Sequence, residues 1–162
     1  MRRGWAVGML ALGLAMAAPA VAARFEEAGS LALEGGHGRL LEPSGVATGA
    51  FGRVYVTDAS THPLQRWDAH GRWLDETGTL GSEDTRFRRP SGVARLGSLG
   101  VVVLDLQNRR LTAYDLQLRL LGVLVRFDDE ALEARTGHVT PVSVSADRGG
   151  ALAVADADAD RV

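Results

Sequence analysis

An internal repeat constrains the fold of this chain more than any other feature. The block PSGVA at 43–47 recurs 47 residues later at 90–94, and a weaker copy, PVSVS, follows after a further 51 residues at 141–145. The same two offsets align three apolar segments that each end in aspartate: VYVTD at 54–58, VVVLD at 101–105 and LAVAD at 152–156. Such a period indicates one supersecondary unit that stacks against copies of itself.

Each repeat unit has the pattern of four short strands. In the first unit, apolar and β-branched runs at 44–48, 53–57, 64–68 and 72–76 are separated by turns rich in Gly, Pro, Asp and His. The second unit has corresponding runs at 91–95, 100–104, 111–115 and 119–125. Short runs between such turns are typical of antiparallel strands. A four-stranded unit with this period is typical of a β-propeller blade, so we predict an all-β fold built of such blades.

The repeat also divides the chain into segments. Residues 43–89 form blade 1, residues 90–140 form blade 2 with an added loop or short helix, and residues 141–162 form part of a third blade. Between 128 and 135 the acidic residues come first and arginine last, which favours a short helix on a solvated excursion. In the N-terminal segment 24–42, the run SLALE predicts an outer strand that completes the last blade of a closed ring.

Residues 1–23 stand apart from the repeats. Two arginines at positions 2 and 3 precede an apolar run at 5–18, and the small residues AVA follow at 20–22. This order of basic, apolar and small residues is that of a cleavable signal peptide. A membrane-spanning helix is disfavoured, because the run falls short of the ~20 residues that a bilayer requires. We expect cleavage near Ala22 or Ala23, export to the periplasm or the extracellular space, and no membrane span in the mature chain.

The composition excludes several kinds of chemistry. The chain has no cysteine, and all 18 of its basic residues are arginine. Neither a cysteine nucleophile nor a lysine for Schiff-base or P-loop chemistry is therefore present. A net charge of −2 with both signs interspersed gives no reason to expect nucleic acid as a partner. An exported chain without cysteine depends on burial rather than on disulfides for its stability.

Asp156, Asp158 and Asp160 alternate as the carboxylates of a calcium loop do. A helix-loop-helix calcium loop needs glycine at its sixth position, where this chain has Arg161. Asp156 is also the aspartate that recurs in the other two repeats, where no such cluster follows, so we predict that it accepts backbone N–H bonds in the turn after the second strand. The four histidines, at 37, 62, 70 and 138, lack the spacing of a zinc pair. We assign no metal ligand, cofactor or catalytic residue.

These blocks resemble the NHL repeat, the unit of a family of β-propellers named for an Asn-His-Leu signature. The family pattern is P-x-G-V-A, a glycine turn, an apolar strand ending in V-x-D, and then N-H-R-[IV]. The first block stands twice in this chain, while the signature is degraded to THPL at 61–64, NRRL at 108–111 and ADRV at 159–162. The resemblance covers about residues 30–162 and implies blades of a six-bladed propeller.

The resemblance also implies where a ligand would bind. In such propellers, ligands lie where the loops that enter the innermost strands meet the loops that follow the second strands. The first set of positions is Glu42, Arg89 and Thr140, and the second set is His62 and Arg109. Arginines in these loops are expected to form a basic patch that favours an anionic peptide, glycan or carboxylate. The members of this patch are Arg86, Arg88, Arg89, Arg109 and Arg110.

Two functions from different classes fit this pattern. We favour an exported propeller scaffold that binds a protein, peptide or glycan, because the innermost strands offer mainly serine and small apolar residues. The alternative is a propeller enzyme of the lyase or lactonase kind, which needs His, Asp, Glu or Asn around a metal on the central axis. Since two and a half blades do not close a ring, we expect a fragment of a longer propeller. If the chain ends at Val162, its open strand edges favour self-association.

Overall fold

The repeated segments form antiparallel β-sheets. The computed structural model describes residues 38–147 and 149–158, so the predicted signal peptide and the predicted strand at 30–34 lie outside the described residues. The strands of sheet 1 are β1 (Pro43–Thr48), β2 (Val54–Asp58), β3 (Leu64–Trp67) and β4 (Trp73–Thr77). Those of sheet 2 are β5 (Pro90–Leu96), β6 (Gly100–Asp105), β7 (Arg110–Asp115) and β8 (Leu120–Arg126). Sheet 3 contains β9 (Pro141–Ala146) and β10 (Leu152–Asp156).

The order of the strands in each sheet follows their order in the sequence. Sheets 1 and 2 are four-stranded meanders, and sheet 3 pairs β9 with β10. Every pairing between these strands is antiparallel. The predicted all-β fold with four-stranded antiparallel units is therefore confirmed, and the predicted strand boundaries agree with the observed ones to within about a residue.

The first strand of each sheet, called here the inner strand, begins with proline and a bulge. Pro43 pairs with Asp58 while Gly45 pairs with Thr57, so one extra residue, Ser44, is inserted. The same shift occurs after Pro90 in β5 and after Pro141 in β9. Proline is tolerated at the first residue of a strand, because no hydrogen bond of the sheet requires an N–H donor at that position. Bulges of this kind bend a strand and redirect its side chains.

The three sheets pack face to face through their inner strands. Strand β1 lies beside β5, and β5 lies beside β9. One core cluster, which includes Tyr55, Leu64, Val93 and Tyr114, lies between sheets 1 and 2. A second, which includes Val102, Leu104 and Val144, lies between sheets 2 and 3. Sheet 2 is therefore covered on both faces, and every residue of β6 is buried.

Among the described residues, one α-helix lies between sheets 2 and 3 in the sequence, and a 3-10 turn at Ala50–Gly52 connects β1 to β2. Helix α1 spans Glu130–Thr136, and the Asp129 side chain caps it by accepting hydrogen bonds from the N–H groups of Ala131 and Leu132, both at 3.0 Å. This confirms the short helix that the charge order predicts. Leu132 packs against the second core cluster, so the helix has one side in contact with the sheets. None of the helices in the described part of the chain is long and apolar enough to cross a bilayer.

Candidate functional site

The candidate site lies at one end of the sheets, where each inner strand begins and each second strand finishes; we call it the entry end. Asp58, the last residue of β2, ties two loops together there. Its Oδ2 accepts the N–H groups of Leu41 at 2.6 Å and Glu42 at 2.9 Å, in the loop that enters β1. Its Oδ1 accepts those of Ser60 at 2.9 Å and Thr61 at 2.8 Å, in the loop that follows β2.

The same aspartate performs the same task in the other two sheets. Asp105 Oδ1 accepts the N–H of Arg88 at 2.8 Å, just before β5. Asp156 Oδ1 accepts the N–H groups of Thr140 at 3.0 Å and Asp158 at 3.2 Å. The prediction that this aspartate accepts backbone N–H bonds in its turn is confirmed for Asp156 and holds for Asp58 as well, whereas Asp105 accepts the side-chain amide of Asn108 there. The aspartate also fixes the entering loop, which the sequence did not indicate.

The pKa values of Asp58 and Asp105 are shifted in opposite directions. Burial raises the pKa of the Asp58 carboxyl, but the N–H donors around it outweigh burial, and its pKa lies below the ordinary value of 3.8. Asp105 is surrounded by more of the protein than Asp58 is. Desolvation therefore raises the pKa of Asp105, although the donors from Arg88, Asn108 and Arg110 oppose this. Both side chains have a structural role and no exposed surface.

The predicted loop residues of sheets 1 and 2 come together across the interface between these sheets. We call this interface the first seam, and the interface between sheets 2 and 3 the second seam. The Arg89 guanidinium lies 3.3 Å from the Glu42 carboxylate, and both side chains are about half exposed. The Arg89 backbone N–H donates to His62 Nδ1 at 3.2 Å. Glu42, His62 and Arg89 therefore form one cluster, contributed by both predicted sets of positions.

Arg109 and Thr140 form a second cluster across the seam between sheets 2 and 3. Arg109 Nη2 donates to the carbonyls of Val139 at 2.9 Å and Phe127 at 3.2 Å, and its Nη1 lies 3.4 Å from His138 Nε2. Thr140 Oγ1 donates to the Asp158 carboxylate. His138 Nδ1 lies 3.4 Å from Oε1 of Glu133 in helix α1. His138 and Asp158 also belong to this cluster, although the sequence did not indicate them as surface-site residues. His138 lies in the inserted segment, which has no counterpart in the other repeats, and Asp158 follows β10.

Three residues of the two clusters have a strained backbone conformation. His62, Arg89 and Arg109 have φ angles of 72°, 54° and 49°, in the left-handed region. Residues other than glycine adopt this conformation only where the surrounding structure holds them in it. Such residues are concentrated at functional sites. At Arg89 and His62, the hydrogen bond between them spans the seam, so the strained backbone and the contact between sheets coincide.

The prediction that Arg110 belongs to an exposed basic patch is wrong, because this side chain is 0% exposed. Its Nε donates to Asp105 at 3.0 Å, and its Nη atoms donate to Asp84 and to three backbone carbonyls. All five guanidinium N–H donors thus have partners. The arginine of the N-H-R-[IV] signature aligns with this position. Arg86, also expected in the patch, lies 3.5 Å from Glu83.

A groove of about 420 Å³ runs along the three inner strands. Its lining is uncharged except for one arginine and consists of Val46, Ala47, Thr48, Val93, Ala94, Arg95, Val144, Ser145 and Ala146. Among residues 38–147 and 149–158, no three His, Asp or Glu side chains lie close enough together to hold a metal ion. The third carboxylate of the alternating cluster, Asp160, lies outside the described residues.

Fold and site together define the class of this protein: an all-β chain of repeated antiparallel sheets, two of them four-stranded. In each sheet, one recurrent aspartate holds the loop that enters the first strand. Over 67 residues the chain is 33% identical to Protein brain tumor of Drosophila melanogaster, an NHL-repeat protein. The similar segment is 41% of this chain and 6% of the length of that relative. No protein-family model matches the chain.

Proposed function

We propose that the chain is an exported binding module of the NHL-repeat β-propeller type, and that it holds a protein, peptide or glycan at the entry end. One observation carries this proposal. The five loop positions that the resemblance implies come from separate parts of the sequence, and they form two clusters at the two seams of the same end. Exposed polar side chains on loops held by a rigid scaffold are the usual elements of a binding surface.

The propeller part of the proposal is supported by how the sheets pack. Strands β1, β5 and β9 lie side by side, each as the inner strand of its own sheet. The close approach of β1 and β5 needs glycine: a Cβ built on Gly45 would lie 2.8 Å from the Gly92 Cα atom. Sheets that pack radially with narrow inner strands are the arrangement of propeller blades. The similarity to an NHL-repeat protein points in the same direction.

The chemistry of the clusters narrows the kind of ligand. Each contains an arginine that already has a partner within the protein: exposed Arg89 pairs with Glu42, and half-buried Arg109 donates to the Val139 carbonyl. A ligand carboxylate or acidic side chain would compete for these guanidinium groups, which form bidentate hydrogen bonds with carboxylates. The mixed charge of the face fits a ligand that presents polar groups of both signs, such as a peptide or a glycan.

The binding proposal is tested with a labelled sample of the chain on a glycan array and against a displayed random-peptide library. For any ligand found, we compare Arg89→Gln with Arg95→Gln, which changes an exposed arginine near the far end of β5, the strand that Arg89 precedes. We expect Arg89→Gln to weaken binding by about tenfold or more, the effect of one lost charge-assisted hydrogen bond. Arg95→Gln should leave binding unchanged. Equal loss in both variants would contradict a site at the entry end.

The export proposal has its own test. We expect the full gene product, expressed with residues 1–23 in a bacterial host, to appear in the periplasm or medium. Its intact mass should correspond to a first residue of Ala23 or Arg24, because cleavage follows a small residue. A product that stays with the cells and retains residues 1–23 would contradict export. This result would leave the binding proposal intact, since binding is measured separately.

A further inference from the structure

His62 is bonded across the first seam through a ring nitrogen that carries no proton. The Arg89 backbone N–H donates to His62 Nδ1 at 3.2 Å. Because a backbone N–H can only donate, Nδ1 must supply a lone pair, and the proton of the neutral ring lies on Nε2. This hydrogen bond therefore exists only while the His62 imidazole is neutral.

The backbone of Arg89 depends on such a contact. Its φ angle of 54° lies in the left-handed region, and a proline follows at position 90. The residue before a proline prefers an extended conformation, because the proline ring crowds its backbone. His62, with a φ angle of 72°, is held in the left-handed region as well. The hydrogen bond thus joins two residues whose backbone conformations are both unfavourable on their own.

The residues on either side of Arg89 are anchored separately. The N–H of Arg88 donates to Asp105 Oδ1 at 2.8 Å. The Pro90 carbonyl accepts the Ser44 hydroxyl at 2.6 Å. Neither contact involves His62, so a change in the charge of His62 acts on Arg89 and leaves the start of β5 in place.

The charged groups around His62 come from the segments that pack together at the entry end. Arg89 and Glu42 lie 3.3 Å apart across the first seam. Asp58 begins the turn that contains His62, and its carbonyl accepts the His62 N–H at 2.9 Å. The Asp58 carboxylate is already bonded to four backbone N–H groups. The segment at Gly78, which also approaches the His62 backbone, is uncharged.

Protonation of His62 would change this cluster in two ways. A histidine side chain ordinarily gains its second proton between about pH 8 and pH 5. Protonated Nδ1 would point its own N–H at the Arg89 N–H, and the imidazolium would repel the Arg89 guanidinium. The cluster would also change from a neutral pair, Arg89 with Glu42, to one net positive charge. Acidification therefore frees Arg89 and makes the first cluster more attractive to an anion.

We propose that His62 is a pH-sensitive latch on Arg89: neutral His62 holds Arg89 at the first seam, and protonated His62 releases it to bind a carboxylate of the ligand. The latch rests on the proposed binding function, to which it adds a ligand class, the carboxylates, and a condition, mild acid. Its residues all belong to loops of the two four-stranded sheets.

His138, in the second cluster, has different surroundings. Its Nε2 lies 3.4 Å from Arg109 Nη1 and 3.9 Å from a carboxylate oxygen of Asp158, and its Nδ1 lies 3.4 Å from Glu133 Oε1. These carboxylates would hold a protonated ring in place, so we expect the second cluster to stay assembled when His138 gains a proton. Experiments on the latch must therefore separate His62 from His138.

The latch is tested first without a ligand, by nuclear magnetic resonance of the isotope-labelled chain between about pH 7.5 and pH 5. The Arg89 amide resonance should shift with the same midpoint as the His62 ring, while the Arg88 amide stays constant. His62→Asn is the decisive variant, because asparagine tolerates the left-handed region and its Oδ1 accepts an N–H but takes up no proton. In this variant the Arg89 amide should not respond to pH.

Three results would overturn the latch: a His62 ring that stays neutral down to about pH 5, an Arg89 amide that ignores the titration of His62, or an Arg89 amide that shifts equally in His62→Asn. Each of them is read from the chain alone. The outcome is therefore independent of whether the chain binds any ligand.

The second experiment measures binding of a fluorescent hexaglutamate peptide by anisotropy, at about pH 7.5 and pH 5.5 and at constant ionic strength; glutamate is ionised at both. We expect the affinity of the unchanged chain to rise about tenfold on acidification, the effect of one charge-assisted hydrogen bond. His62→Asn should gain about twofold or less. His70→Gln is the matched control, because His70 is exposed in the turn between β3 and β4, at the opposite end of sheet 1. It should gain as much as the unchanged chain.

An equal gain in His62→Asn and the unchanged chain would assign the effect to another group, such as His138, and overturn the latch. Absence of binding at both pH values would contradict carboxylate capture at the entry end. Since the amide resonances test the latch itself, a failure of the latch and a failure of the proposed function are distinguishable.

Discussion

Arg110 shows how one charged side chain is tolerated inside this fold. Its charge is paired with Asp105, and the Asp105 carboxylate in turn accepts the N–H of Arg88 and the amide of Asn108, at 2.8 and 2.7 Å. A buried ion pair adds little net stability over an apolar replacement, but the removal of one partner leaves an uncompensated charge. The pair therefore fixes the turn between β6 and β7 to the segment before β5, which carries Arg89.

We predict that Arg110→Ala lowers the free energy of unfolding by about 3–5 kcal/mol, because Asp105 is left buried without its counter-charge. The measurement is chemical denaturation followed by circular dichroism. Arg119→Ala is the control: Arg119 is exposed and pairs with Asp115 at 2.7 Å, and surface pairs contribute less than about 1 kcal/mol. An Arg110→Ala chain as stable as the control would show that the buried pair is not needed to hold the two loops.

Asp58 leads to a prediction on acid stability. Its pKa in the folded chain is below the ordinary value of 3.8, so the folded state binds fewer protons than the unfolded state in this range. The stability that Asp58 contributes is complete above the unfolded-state pKa and is lost as the pH falls through the folded-state pKa. We expect Asp58→Asn to cost about 1–3 kcal/mol at neutral pH, because an amide cannot accept all four N–H groups.

The same variant should also lose less stability than the unchanged chain as the pH is lowered from 5 towards 2. Denaturant titrations across this range provide the measurement. Asp128→Asn, at an exposed position before helix α1, is the comparison and should follow the unchanged chain. If Asp58→Asn and the unchanged chain lost stability in parallel between these pH values, the hydrogen bonds at the entry end would not be the cause of the lowered pKa.

At the scale of an element, the inner strands explain why the repeat contains PSGVA. The bulge after the proline directs the Ser44 hydroxyl across the seam to Pro90, and the glycine allows the next inner strand to approach closely. A Cβ on Gly45 would lie 2.8 Å from both the Gly92 Cα and the Val93 nitrogen, closer than backbone atoms permit. A Cβ on Gly92 would find ordinary contacts. The two glycines of one repeat position thus differ in their spatial constraint.

We predict that Gly45→Ala destabilises the chain by about 1–3 kcal/mol, since an overpacked contact forces the two backbones apart. Gly92→Ala should be close to neutral, because an alanine that fits also reduces the freedom of the unfolded chain by about 0.4–1 kcal/mol. The measurement is the free energy of unfolding of both variants in one denaturant series. Equal costs for the two substitutions would mean that the first seam is not closer than the second.

Much of this architecture follows from the sequence, because the signals are local. Alternating apolar runs and turn residues predict the strands, and the charge order predicts helix α1. The resemblance to NHL repeats implies which loops share one end, and the structure brings Glu42, His62 and Arg89 into contact there. The partners of individual arginines are not predictable in this way. All basic residues have the same side chain, and only three-dimensional packing separates buried Arg110 from exposed Arg89.

At the scale of the whole molecule, the three sheets differ in how completely they are covered. Sheet 2 is enclosed by its neighbours, and β6 is buried along its full length. Among the described residues, the faces of sheets 1 and 3 that point away from sheet 2 are open near the inner strands, as the exposure of Val46 and Ser145 shows. Stability against local opening follows buried apolar contact, so it should fall from the middle sheet towards both outer sheets.

Hydrogen exchange measures this gradient. We expect the paired amides of β6 to exchange only through global unfolding and those of β10 to exchange faster by several orders of magnitude. Equal protection of β6 and β10 would contradict a stability gradient.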